Sequence, residues 1–108
     1  MPKKDLLERR EEAIALYEHY GNLLSAERKR RFEAYYFEDL SIGEIALEEE
    51  VSRSAVFDSL QKTLDHLSHY EEKLHFLEKE EKLRQILTRY EANELTKESF
   101  LKEINDAL

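Results

Sequence analysis

The chain has 108 residues, with 17 Lys and Arg against 25 Asp and Glu and a formal net charge of −8 at pH 7. This length suits one compact domain, and 41% hydrophobic residues is too apolar for a disordered acidic chain. With two Gly, one Pro and no Cys, an all-β fold, a disulfide framework and a zinc ribbon are excluded. We therefore expect an all-α protein without a cofactor. Because no apolar run reaches about 18 residues, we expect it to be cytoplasmic, with no membrane partner.

Apolar residues at three- and four-residue steps predict two helices in the first part of the chain. The first runs from about Lys4 to Tyr20, and we expect Gly21 to end it as a left-handed C-terminal glycine. A second helix begins after Ser25, a typical N-cap residue, and runs to about Asp39. Its inward-facing residues are Phe32, Tyr35 and Tyr36.

The segment from Ser41 to Val56 has the pattern of a helix-turn-helix. Ser41 and Glu44 form a capping box for a short helix through Glu50, and Ser52 caps the next helix. The apolar residues of the motif have distinct places. Ile45 faces the core, Ala46 lies at the helix crossing and Val51 lies in the turn. Val56 and Leu60 lie on the inner face of the helix that Ser52 caps. Glu50 stands where such turns usually have Gly, so a left-handed backbone would be costly and we expect a wider turn.

The second helix of the motif presents an outer face on which a groove-reading helix would place its contacts. The residues on or beside that face are Arg53, Ser54, Phe57, Asp58, Gln61 and Lys62. The nearest basic cluster is Arg28, Lys29, Arg30 and Arg31, which is either a phosphate-binding patch or a solvated helix face. The triplet from Glu48 to Glu50 makes the local field negative, which does not favour sequence-specific DNA binding.

Three blocks of this region resemble the YlxM-like family of small bacterial proteins, and more distantly the C-terminal promoter-reading domain of sigma factors. They are the runs 35–46, 51–58 and 70–74, and the resemblance covers roughly residues 14–77. It implies an all-helical helix-turn-helix protein whose gene typically lies beside those for the signal recognition particle and its receptor. The chain departs from the family pattern at Glu50, usually Gly or Asn, and at Ser54, usually Gln. Both departures lie where nucleic acid would be read.

The remainder of the chain is predicted to be helical almost throughout. The helix that Ser52 caps, the fourth of the chain, carries the start of a long apolar stripe. A further helix from Lys79 to Tyr90 follows it directly or after a kink near Glu78. Thr96 caps a last helix. The stripe comprises Leu64, Leu67, Tyr70, Leu74, Leu77, Leu83, Ile86, Leu87 and Tyr90. We expect a helix-turn-helix domain at 1–78 and a C-terminal helical extension at 79–108. Either the first and last helices cover the stripe or a second subunit does, and we favour a homodimer.

No residue group of the sequence predicts catalysis. His66 and His69 are one helical turn apart, a spacing that could hold a metal, but such surface pairs are mostly incidental and we assign no metal site. From the resemblance we expect a non-enzymatic accessory protein that binds the signal recognition particle's protein or RNA. The alternative is a dimeric DNA-binding transcriptional regulator, and a third possibility is a protein-interaction module that keeps only the fold.

Overall fold

The computed structural model describes residues 9–108, and this part of the chain is helical. Its helices are α1 (Arg10–Tyr20), α2 (Ala26–Tyr36), α3 (Ile42–Glu49), α4 (Arg53–Leu74), α5 (Phe76–Glu91) and α6 (Lys97–Ala107), with a 3₁₀ turn at Gly21–Leu23. Residues 9–108 contain no strand, so the all-α prediction is confirmed. The predicted start of the first helix at Lys4 lies outside the described residues. The chain divides into two compact units, one up to Lys73 and one from Leu74 onward.

The predicted N-caps begin four of the helices. The hydroxyl oxygens of Ser25, Ser41, Ser52 and Thr96 each accept a hydrogen bond from the backbone N–H three residues later, at 3.0 to 3.3 Å. Each cap satisfies one of the backbone donors that the first turn of a helix leaves without an intrahelical partner. These four helix starts were therefore predictable from single residues.

The first unit is built around a core to which α1, α2, α3 and α4 all contribute. Its largest fully buried side chains are Tyr20, Phe32, Tyr36, Val56, Leu60, Thr63, Leu64 and Leu67. Tyr35, which we expected to face inward with Phe32 and Tyr36, is only half-buried. Ile45 and Ala46 are buried as predicted, whereas the turn residue Val51 remains 39% exposed.

Gly21 does not end α1 in the expected way. Its φ and ψ are −56° and −32°, which is right-handed helical backbone, and the chain continues into the 3₁₀ turn. The glycine is required by space instead, because a Cβ at this position would lie 2.9 Å from Cε1 of Tyr17. The Tyr17 ring in turn stacks on Phe32, with centroids 4.2 Å apart and planes 7° apart. The prediction of a left-handed cap was wrong, and close approach of an aromatic ring explains the residue.

The second unit contains the α5–α6 hairpin. The rings of Tyr90 and Phe100 stack with centroids 4.3 Å apart, and Arg89 pairs with Glu103 at 2.8 Å. The helix break that precedes α5 lies at His75, which has φ 56° and ψ 27°, three residues before the kink predicted near Glu78. A non-glycine residue in left-handed backbone gives no sequence signal of the kind that Gly or Pro provides.

The apolar stripe divides in the same way. Leu64 and Leu67 are buried in the first unit, where the Tyr20 hydroxyl of α1 donates to Glu71 and the ring of Tyr20 lies 6.1 Å from that of Tyr70. Beyond that point Leu74 and Leu87 are exposed. In residues 9–108, none of the helices combines the length and the apolar character that crossing a membrane requires.

The helix-turn-helix face as a candidate binding site

The capping box at the start of α3 is complete. The Glu44 N–H donates to the Ser41 hydroxyl oxygen at 3.0 Å, and the Ser41 N–H donates to the Glu44 carboxylate at 2.9 Å. Because the backbone N–H and hydroxyl of Ser41 bond to the carboxylate, the pKa of Glu44 is lowered from its ordinary value. Glu44 therefore stays negatively charged and exposed at the entrance to the motif.

The turn between α3 and α4 keeps its tight form despite the absence of glycine. Glu50 adopts φ 56° and ψ 44°, and the Val51 N–H donates to the Ala46 carbonyl at 3.0 Å while the Glu50 N–H lies 3.3 Å from the Leu47 carbonyl. These two bonds form a Schellman motif, which normally has Gly in the left-handed position. The expectation of a wider turn was wrong, because Glu50 adopts the left-handed backbone conformation that the tight turn requires.

Helix α4 places the predicted contact residues in two environments. Arg53, Ser54, Asp58 and Lys62 are exposed, whereas Phe57 and Gln61 are half-buried. The inner face of the same helix is fixed by Val56 and Leu60, which are 0% and 1% exposed. The orientation of α4 is thus set by packing, and its outer face presents one acid and two bases from Arg53 to Lys62.

Arg53 lies against the first helix of the motif. A Cβ placed on Gly43 would lie 3.1 Å from Nε and 3.2 Å from a terminal nitrogen of Arg53. The guanidinium of Arg53 therefore contacts the backbone of α3 where a side chain is absent. Gly43 lies in the first turn of α3, and its role beside Arg53 depends on tertiary packing that composition does not reveal.

The basic cluster on α2 is not a uniform patch, because Arg31 is tied into the fold. Its side chain is only 15% exposed, and its Nε donates to the Glu49 carboxylate at 2.9 Å. It also pairs with Glu27 at 2.8 Å and donates to the Ser59 hydroxyl at 2.9 Å. The hydrogen bond to Glu49 raises the pKa of Arg31. Arg31 thus joins α2, α3 and α4, and its charge is neutralised by two carboxylates.

The other three residues of the cluster point to different neighbours. A terminal nitrogen of Arg28 lies 3.1 Å from both ring nitrogens of His66, so this cation covers the imidazole. Lys29 donates to the Asn22 side chain at 3.0 Å, and Arg30 is exposed. Because the positively charged Arg28 guanidinium lies against the His66 ring, it would repel a metal ion bound by His66 and His69.

Arg28 and Lys62 line a depression between the N-terminal halves of α2 and α4. Glu27 and Asp58 line the same depression, together with Arg31. Coulombic attraction for a phosphate at this place is therefore opposed by two carboxylates. The structure brings the predicted cluster and the predicted reading helix to one side of the first unit, but with mixed charge.

The resemblance to known proteins extends over nearly the whole chain, further than the roughly 14–77 that motifs alone indicated. A family model described as helix-turn-helix protein, YlxM/p13 like (UPF0122), matches residues 7–107. A UPF0122 protein of Mycoplasma capricolum is 39% identical over 106 residues, 98% of this chain and 94% of the relative. One of Listeria monocytogenes is 43% identical over 94 residues, covering 86% and 84% of the two chains. One of Geobacillus kaustophilus is 46% identical over 74 residues, covering 68% and 67%.

Proposed function

Because the chain belongs to the UPF0122 family of YlxM/p13-like helix-turn-helix proteins, we propose that it is a non-enzymatic accessory protein of the signal recognition particle pathway. It acts in the cytoplasm and binds the particle's protein or RNA. The link to this pathway comes from the resemblance to the YlxM-like family described above. A regulatory role without catalysis accords with a helix-turn-helix family.

The observation that favours this proposal over a DNA-binding regulator is that Arg31 forms ion pairs with Glu49 and Glu27. Duplex DNA binding draws much of its affinity from Lys and Arg on phosphates, and the side chain best placed beside α4 is already neutralised. Exposed Asp58 and Glu50 add repulsion at the reading helix and its turn. The motif thus has the architecture of a DNA-binding helix-turn-helix but little of the positive charge that binds DNA phosphates.

The alternative, a DNA-binding transcriptional regulator, is supported by the motif itself. Ser52 caps α4, and Arg53 and Ser54 are exposed in its first turn, where a reading helix contacts bases. Lys62 is exposed further along the same helix. These residues, with Phe57, Asp58 and Gln61, remain the proposed contact face for whichever nucleic acid or protein is bound. For an RNA backbone, the cations left available beside them are Arg28, Lys29 and Arg30.

We also propose a homodimer formed through the second unit. Helix α6 buries none of its residues, and Leu87 and Leu101 are 47% and 53% exposed. A hairpin of two helices cannot cover both of its apolar faces, and a second copy is the commonest solution. The segment from Leu74 to Leu108 has six Lys and Arg and eight Asp and Glu, so it contributes little of the net charge of −8 that would drive two copies apart.

Affinity capture from cytosol of a bacterium that encodes the protein tests the proposed pathway. The tagged full chain is used with and without nuclease, and captured RNA, DNA and protein are identified. We expect the particle's GTPase or its RNA to be enriched, with loss after RNase if the RNA is bound. Arg28→Ala with Arg30→Ala should weaken an RNA-dependent capture more than Lys97→Ala with Lys102→Ala, which removes the same charge from α6. Enrichment of specific genomic DNA alone would contradict the proposal.

A further inference from the structure

The outer side of α3 carries an apolar side chain that the core does not use. Leu47 is 82% exposed, the largest exposed fraction of any large apolar residue in the described part of the chain. Its neighbours Ile45 and Ala46 are 2% and 4% exposed and hold the opposite side of this eight-residue helix in the core. Leu47 therefore exposes apolar surface to water and contributes little to the core of the first unit.

Val51, in the turn that follows α3, is a second apolar side chain that the core leaves partly exposed. It follows Leu47 by four residues, and the Schellman bonds from Val51 to Ala46 and from Glu50 to Leu47 fold the turn back onto the last turn of α3. Val51 is 39% exposed, although the pattern of a helix-turn-helix predicts a buried residue there. Two partly or largely exposed apolar side chains thus occupy the same end of α3.

Three exposed carboxylates are close neighbours of these two side chains in sequence. Glu44 and Glu48 lie three residues before and one residue after Leu47, and Glu50 precedes Val51; all three are exposed. Helical spacing puts Glu44, Leu47 and Glu48 on one face. Glu49, on the other side of the helix, is taken up by Arg31 and does not contribute.

We propose that Leu47 and Val51, rimmed by Glu44, Glu48 and Glu50, form a docking surface for a basic amphipathic helix of a partner protein. The apolar pair is the anchor, because burying an exposed Leu is favourable and anchors at an interface need an apolar counterpart. The acidic rim selects Lys and Arg beside that counterpart and repels nucleic acid phosphates. This inference goes beyond the proposed function, since it concerns a face outside the α4 contact residues and holds for any partner with this chemistry.

A designed peptide probe tests the surface directly. The probe is a fluorescein-labelled 18-residue helix with Leu on one face and Lys on the other, and its binding to the full chain is followed by fluorescence anisotropy. Two control peptides carry Glu in place of Lys, or the same residues without amphipathic order. We expect binding of the basic helix alone. On ¹⁵N-labelled protein, the probe should shift the amide signals of residues 44–51 most.

Matched variants separate this surface from the protein's general acidity. Leu47→Ser should weaken binding about tenfold, as loss of one apolar anchor does, whereas Leu23→Ser, at a residue 56% exposed in the 3₁₀ turn, should change it less than about twofold. Glu48→Gln with Glu50→Gln should weaken it about threefold, and Glu91→Gln with Glu94→Gln, which removes equal charge from the second unit, should not. Glu50→Gly removes the carboxylate while relieving left-handed backbone, so it should weaken binding in a chain that folds at least as well.

Several results would overturn the proposal. They are equal binding of the acidic peptide, equal loss with the Glu91 and Glu94 variant, and amide shifts centred outside residues 44–51. Self-association of the chain that is abolished by Leu47→Ser would show that a second copy occupies the surface. Tighter binding of RNA than of the basic helix at residues 44–51 would assign the surface to nucleic acid. Circular dichroism and urea midpoints of each variant verify that any loss is not due to unfolding.

Discussion

The guanidinium of Arg31 and the carboxylate of Glu49 lie 2.8 Å apart and connect α2 to the end of α3. Both side chains are sheltered, at 15% and 24% exposure, so water screens this pair less than a surface ion pair. The same guanidinium donates to Ser59 on α4 at 2.9 Å. One residue of an apparently basic cluster therefore fixes three helices of the first unit and offers little charge to an outside ligand.

The first prediction concerns this pair. Arg31→Ala leaves the sheltered carboxylate of Glu49 and the hydroxyl of Ser59 without their donor, and we expect a loss of about 1–3 kcal/mol in the free energy of unfolding. Arg30→Ala, at the exposed neighbouring position, should change it by less than about 0.5 kcal/mol. Urea unfolding followed by circular dichroism measures both. Equal effects of the two variants would show that Arg31 is only a solvated charge.

The two glycines should respond in opposite directions to the same substitution. Gly21→Ala places a methyl group 2.9 Å from the Tyr17 ring, which is stacked on Phe32 and cannot move freely; overpacking of this kind costs about 1–3 kcal/mol. Gly43→Ala meets only the mobile end of Arg53 at 3.1 Å, and Ala in a helix is favoured over Gly by up to about 1 kcal/mol. Thermal melts of both variants decide the matter, and stabilisation by Gly21→Ala would contradict the close contact with Tyr17.

A third prediction follows from the lowered pKa of Glu44. A carboxylate whose folded pKa lies below its unfolded pKa stabilises the protein above the unfolded pKa, and this contribution is lost as pH falls through the folded pKa. The urea midpoint of the wild type should therefore exceed that of Glu44→Gln near neutral pH, and the difference should disappear in acid. Ser41→Ala, which removes the other half of the box, should cost about 1 kcal/mol. A difference that grows on acidification would contradict this account.

The proposed homodimer makes a fourth prediction. Sedimentation velocity of the wild type should show dimers in the micromolar range, and Leu87→Lys with Leu101→Lys should yield folded monomers because charge replaces the exposed apolar surface of α5 and α6. Leu23→Lys, at an equally exposed position of the first unit, should remain dimeric. Wild-type protein that stays monomeric at high micromolar concentration would refute the dimer.

The local features of the fold could be predicted, because each depends on residues close in sequence. Four helices are capped by a hydroxyl that accepts from the backbone N–H three residues later, at Ser25, Ser41, Ser52 and Thr96. The capping box of Ser41 and Glu44 also forms as expected. The periodic apolar positions Ile45, Ala46, Val56 and Leu60 are all buried.

What could not be predicted depends on tertiary contacts or on strained backbone. Nothing near Arg31 in sequence indicates that it pairs with Glu49, 18 residues away, while Arg30 faces solvent. Gly21 was misassigned because close approach of Tyr17 and a left-handed backbone both require glycine. His75 and Glu50 adopt left-handed backbone with no glycine to mark it. The break before α5 was therefore expected three residues too late, and the tight turn of the motif was not expected.

Equilibrium binding of the full chain to three ligands shows whether it binds a signal recognition particle component in preference to duplex DNA. The ligands are the signal recognition particle's GTPase, its RNA, and random duplex DNA, each titrated at two salt concentrations. We expect a particle component to bind at least about tenfold tighter than the duplex at physiological salt. Submicromolar, sequence-selective binding of duplex DNA, with neither particle component bound, would contradict it and favour the transcriptional regulator.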